Sequence, residues 1–328
     1  MIFKKIRFCF PLTFLIFSLN LETAIAADPF RSSIEARPID QTTEAAFRSM
    51  FEVGNYQDAQ WYLQQAQQQQ SQDPMIYGML AAFAYQQADW QGLADYAEII
   101  LTTAATLIET DPLRGNLYQA VGYFMQGAYT VSTEGILRGA PKALDKLQAV
   151  FQALDAAEAI NPTDPELNLI RGYLELFLAI NLPFNSPEAA IDQLKDYGQP
   201  QYLAYRGIAI AYRDLGNLEQ ALEFVDKALE DTPENPELLY LKAQILTSLG
   251  KQNDPTLLTL AQDHFQAALV QPQQLPKRMV AQIFYEQCKN LNRIDQIQRP
   301  CDPLRDTIRE RDSLWGPVSE QMPSLLVD

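Results

Sequence analysis

"YLAYRGIAIAYRDLGNLEQALEFVDKALEDTPENP", residues 202–236, carries two apolar stripes and two breaks. Tyr205, Ile208, Ala209, Tyr212 and Leu215 recur at steps of three and four, so they share one helical face. Gly216-Asn217 ends that helix, because glycine tolerates the left-handed conformation that helix ends adopt. Leu218, Ala221, Leu222, Val225, Ala228 and Leu229 make a second stripe of the same period, and Pro233 stops it. So short a connection forces the two helices antiparallel, stripe against stripe.

The punctuation recurs outside this hairpin. "INPTDPELNLIRGYLEL" (160–176) and "DTPENPELLYLKAQIL" (231–246) align so that Pro162 matches Pro233 and Pro165 matches Pro236, each 71 residues later. The hairpin at 202–236 resembles a tetratricopeptide repeat. That family's run of aromatic, apolar, small, aromatic, Gly, Ala, bulky, Ala and Pro is met by Tyr205, Ile208, Ala209, Tyr212, Gly216, Ala221, Val225, Ala228 and Pro233. A unit of about 34 residues makes the spacing of 71 two units. The intervening junction then falls near Pro200. The resemblance implies an all-α superhelical solenoid of about six helical hairpins.

Weaker versions of the pattern place the array over residues 40–272, after an extension at 27–39. "TVSTEGILRGA" (130–140) reads as a long turn inside the third hairpin, whose second helix then starts at Pro141. "NLPFNSPEA" (181–189) is the turn of the fourth, and "KQNDPTLLT" (251–259) an insertion in the sixth. Residues 273–328 read as a capping helix, "LPKRMVAQIFYEQCKNL", and an irregular tail. A cap is needed because an open solenoid end exposes apolar surface. The Gln-rich stretch at 64–72 reads as a polar helix end.

Residues 1–26 have the order of a secretory signal peptide: Lys4, Lys5 and Arg7, an apolar run from Phe8 to Leu21, then Ala24-Ile25-Ala26. Cleavage is expected after Ala26; the alternative is a membrane anchor, for which the run is short. Cys9 at the start of the run does not fit a lipoprotein signal. The segment carries +3 from its basic residues and −1 from Glu22, so removing +2 from the chain's −16 leaves −18 on 302 residues. That charge repels phosphate backbones, which argues against nucleic acid and against a broad anionic membrane surface. No later apolar run is long enough to span a membrane, so no stable insertion is expected after cleavage. The signal segment, the acidic array and "GILRGAPKALDKL" together resemble a family of exported cyanobacterial repeat proteins, which implies the periplasm or the thylakoid lumen.

Cys288 and Cys301 remain after cleavage, and export to an oxidising compartment suggests a disulfide between them; two free thiols are the alternative. His264 is the only histidine, and one His with two Cys nearly excludes a His-based triad or a four-ligand Cys/His zinc site. No phosphate loop, nucleophile elbow, His-Glu-x-x-His or calcium loop occurs. No catalytic residue, cofactor or metal is therefore assigned.

The resemblance implies a non-enzymatic scaffold whose first helices line a concave groove for a protein or peptide. On the family's register the groove candidates are Tyr85, Tyr123, Tyr173, Arg206, Arg213 and Tyr240. Tyr and Arg suit recognition, since they combine large contact area with directed polar groups. The tyrosines could equally pack between hairpins. Arg206 and Arg213, seven residues apart, share a face and could receive an acidic peptide or a terminal carboxylate. The alternative class is an envelope enzyme, such as a cell-wall hydrolase, with paired carboxylates across a deep cleft.

Overall fold

The computed structural model describes residues 28–31, 36–69, 71–181, 187–252 and 254–326. The expected signal peptide lies outside these residues, as does most of the 181–189 turn. The described chain is an all-α solenoid. Its first hairpin is α1 (Gln41–Phe47), running on as a π-helical turn to Val53, and α2 (Tyr56–Gln68). Then follow α3 (Pro74–Gln87) with α4 (Trp90–Leu107), α5 (Pro112–Glu134) with α6 (Ile136–Glu158), and α7 (Pro165–Asn181) with α8 (Glu188–Tyr197). Next come α9 (Gln201–Asp214) with α10 (Leu218–Asp231), and α11 (Pro236–Gln252) with α12 (Thr256–Ala268). α13 (Lys277–Asp295) and α14 (Cys301–Arg309) close the array.

The two stripes of the α9/α10 hairpin meet as their period requires. Ile208, Ala209, Ala221, Val225 and Ala228 are all fully buried. Alanine at 221 and 228 lets the two helices approach closely. Gly216 takes φ +85°, the left-handed turn that a side chain would strain. Odd-numbered helices touch one another in succession, α1 with α3, α3 with α5, α7 with α9 and α9 with α11, and so form the inner layer.

Asp73, Asp111 and Asp164 each precede a proline that opens an inner helix, and each side chain accepts a backbone N–H of that helix's first turn. The repeated punctuation is thus an N-cap followed by a proline whose missing N–H costs nothing there.

Two expectations are corrected. Residues 130–140 are no loop: α5 stays helical to Glu134, Gly135 alone makes the turn, and α6 starts at Ile136 with Pro141 inside it. The tail is not all irregular either, since α14 begins directly after Pro300.

Candidate functional site

Three arginines read the caps of the inner helices. Glu166 of α7, 0% exposed, accepts from Arg114 Nε at 3.2 Å, Arg37 Nη1 at 3.1 Å and the Tyr118 hydroxyl at 3.0 Å. Asp164 accepts from Arg31 Nη2 at 2.7 Å and from Arg37 Nη2 at 3.2 Å. Arg114 also grips Asp73 with both terminal nitrogens, at 3.1 and 3.0 Å, and Arg37 Nε reaches Asp111 at 2.8 Å. Burial alone would pull the Arg114 pKa down, but Glu166 and Asp73 more than reverse that and hold it well above its ordinary value. Burial, reinforced by Glu166, pushes the Tyr118 hydroxyl well up. The segment before α1 is thereby pinned across the starts of α5 and α7. Sequence reading assigned none of these residues; the Asp-Pro pairs at 73, 111 and 164, with an arginine three residues after Asp111, are the signal that could have found them.

The groove candidates are brought together in part. Tyr173 donates to the Leu203 carbonyl at 2.7 Å, Arg206 pairs with Glu237, Arg213 Nη1 donates to Gln244 Oε1 at 2.6 Å, and Tyr240 donates to Glu286 at 2.8 Å. Each of these four side chains reaches from one inner helix to the next, so in the folded chain they tie consecutive hairpins. Burial lifts the Tyr173 pKa to about 12, with Arg206 opposing and Glu237 assisting. Tyr85 and Tyr123 lie apart from this ladder. Tyr85 is half-exposed, edge-on to Trp90 with ring centroids 5.9 Å apart, and Tyr123 carries Lys146 over its ring at 5.8 Å.

The array also closes on itself. Asn235, at the junction of α10 and α11, donates to the carbonyls of Phe51 and Glu52 at 2.9 and 3.1 Å. The Tyr56 hydroxyl donates to Glu237, on the same carboxylate that Arg206 holds. Gly54 takes φ +73° there, and a Cβ on it would lie 2.6 Å from Pro236 Cδ, so this turn needs glycine twice over. The 3₁₀ turn Pro272–Gln274 touches α2, and Trp315 of the tail meets Phe83 of α3 with ring centroids 6.4 Å apart. The first hairpin therefore seals part of the inner layer.

A cleft of about 620 Å³ stays open along this seam. Glu52, Asp231 and Glu234 supply its carboxylates, and Pro233, Pro236, Leu239 and Ala268 part of its apolar wall. Val53 and Val270 stand exposed on its lining. The lining thus sets apolar side chains beside negative charge.

At the closing end, Cys288 of α13 and Cys301 of α14 are joined by a disulfide, with Cα atoms 5.7 Å apart. A bridge between residues 13 apart contributes roughly 3 kcal/mol in the chain-entropy account. Lys277 N and Gly316 N donate to the Leu314 and Leu275 carbonyls, both at 2.9 Å, which lays the Trp315 stretch against the start of α13. Among the described residues, no group of His, Cys, Asp and Glu is arranged to hold a metal ion.

A model of the tetratricopeptide repeat family matches residues 203–245, covering α9, α10 and the first part of α11. No curated protein matches the chain. The match confirms the repeat read from residues 202–236 and agrees with the tetratricopeptide-like solenoid described above. Repeats of this kind build scaffolds for protein–protein interaction.

Proposed function

We propose that this protein is an exported, non-enzymatic scaffold or assembly factor that binds a protein partner, and that the partner enters through the seam cleft. The observation that carries the reading is the cleft itself: exposed Val53 and Val270 beside Glu52, Asp231 and Glu234, where the first hairpin meets the α10–α11 junction. The partner segment is apolar and basic, the complement of that lining. Recognition at the seam differs from the open groove that the repeat's register implies, because Tyr173, Arg206, Arg213 and Tyr240 already bond to neighbouring inner helices. The buried carboxylates Asp28, Asp164 and Glu166 each hold arginines rather than facing an open cleft. That favours the scaffold over a hydrolase. The order of residues 1–26 supports export to a periplasm or lumen.

A photo-reactive residue at Val270, introduced in the source cells, tests the proposal. It should give a discrete protein adduct, and reversing Asp231 and Glu234 to lysine should abolish it. The same probe at the exposed position Glu219 of α10 should give none. Equal adducts from both positions, or an adduct indifferent to the charge reversal, would contradict the cleft as the binding site.

A further inference from the structure

The third hairpin runs on past its neighbours. α5 and α6 hold 23 residues each, against 14 and 18 in α3 and α4 and 17 and 10 in α7 and α8. The fully buried contacts at its base reach from Leu113 and Ala157 to Ala120 and Val150, and the hairpin continues beyond them to Gly135. The helices stay paired out there because residue 139 is glycine; a Cβ would lie 3.0 Å from the Thr130 carbonyl oxygen and 3.1 Å from Val131 Cα.

Leu137, Pro141 and Leu144 follow one another at steps of four and three, so they share a helical face. All three are exposed, Leu137 at 96% and Leu144 at 60%, and Ile136 beside them is 74% exposed. Arg138 and Lys142, spaced by four, lie on the flank of that face, while Lys146 turns back toward α5, over the Tyr123 ring. With Glu134 and Asp145 as the acidic residues of 134–147, the tip carries +3 − 2 = +1 in a chain of −16. Lys142 reaches Glu134 at 2.7 Å, while Arg138 has no ion-pair partner among the described residues.

We propose that this tip docks peripherally on an anionic lipid bilayer. Ile136, Leu137 and Leu144 enter the boundary between headgroups and acyl chains, and Arg138 and Lys142 meet the phosphates. A stripe of exposed apolar side chains beside a stripe of long basic ones is the arrangement that lies in a bilayer interface, because those stems cover apolar surface while their charges reach the headgroups. A peptide partner needs a cleft, whereas a projecting helical end has none to offer and fits a soft, extended surface. The remaining surface, strongly acidic, is repelled by the same lipids, so the molecule is oriented tip-first. No helix among the described residues is long and apolar enough to cross a membrane, which makes the contact one of surface docking. The inference is independent of the seam cleft.

Hydrogen–deuterium exchange on the full chain, with and without vesicles, tests it. Vesicles of mixed zwitterionic and anionic phospholipid should slow exchange in peptides covering 130–147 and leave those covering 203–213 unchanged. Purely zwitterionic vesicles should give little protection. Replacing Ile136 and Leu137 together by serine should remove the protection at 130–147 while the thermal melt stays unchanged, and Arg138→Gln with Lys142→Gln should weaken it. Because the readout is local, binding by residues 1–26 does not imitate it. The proposal is overturned if wild-type protein on anionic vesicles shows no slowing at 130–147, or if the slowing survives the serine variant. It is equally overturned if the same peptides become protected without lipid as protein concentration rises, which would assign the tip to a second copy of the chain.

Discussion

The α9/α10 and α5/α6 hairpins obey the same periodicity and put it to different ends. In α9/α10 the small residues of the stripes, Ala209, Ala221 and Ala228, are buried, and the turn falls directly beyond the packed region. In α5/α6 the inner half is buried at least as firmly, with Glu166 and three arginines at its root, yet the outer half carries its stripe into solvent. A helical period therefore says which residues share a face, and neighbouring hairpins decide whether that face is covered. Where a hairpin outruns its neighbours, the uncovered stripe is surface available for another purpose.

The largest effect is expected at the root. Glu166→Ala would leave Arg114 buried with half its compensation and should cost about 3–5 kcal/mol, the range for breaking a buried ion pair from one side. Chemical denaturation measures it. A cost below about 1 kcal/mol, typical of exposed pairs, would place the cluster in solvent and remove the contrast between root and tip.

Ala221→Leu in the α9/α10 hairpin comes next. Overpacking the helix contact should cost roughly 1–3 kcal/mol. An unchanged midpoint would mean that the two helices do not touch at residue 221.

At the tip, Leu137→Ser should change stability by no more than about 0.5 kcal/mol, the usual range for a surface substitution. A cost as large as that of Ala221→Leu would show the stripe covered in solution, and the comparison would fail at its exposed end.

The smallest effect belongs to His264 of α12. Burial, then repulsion from Lys242, lowers its pKa below the ordinary 6.5. The folded state thus favours neutral imidazole. Its contribution to stability is present above pH 6.5 and is lost as pH falls through the lowered folded value. His264→Gln should flatten the stability profile just below pH 6.5, and an identical slope in both proteins would contradict the assignment.

Much of this fold was legible because its signals are local. The α9/α10 stripes, Gly216, and the prolines opening α7 and α11 act within a few residues, and each fell where its chemistry put it. The turn at 130–140 was misread for an equally physical reason. Pro141 and two glycines suggest a break, but α6 runs through Pro141, which lies past the first turn and removes one i→i−4 bond without ending the helix, and Gly139 serves close approach to Thr130. The seam left no local trace. Asn235 and Phe51 lie 184 residues apart in the chain, and nothing in the neighbourhood of either predicts the other. The same holds for Arg31 and Asp164, so sequence reading found the prolines that open the inner helices without finding the caps before them or what pairs with those caps.

Closure of the array on itself creates the cleft and commits the inner face. A double-mutant cycle between Tyr56→Phe and Glu237→Gln, residues 181 apart in sequence, tests that contact directly. Residues that touch should show a coupling energy of about 0.5–3 kcal/mol in denaturant unfolding of the single and double variants. Additivity within about 0.3 kcal/mol would mean that the first hairpin does not sit on the start of α11, and that the seam does not exist in solution.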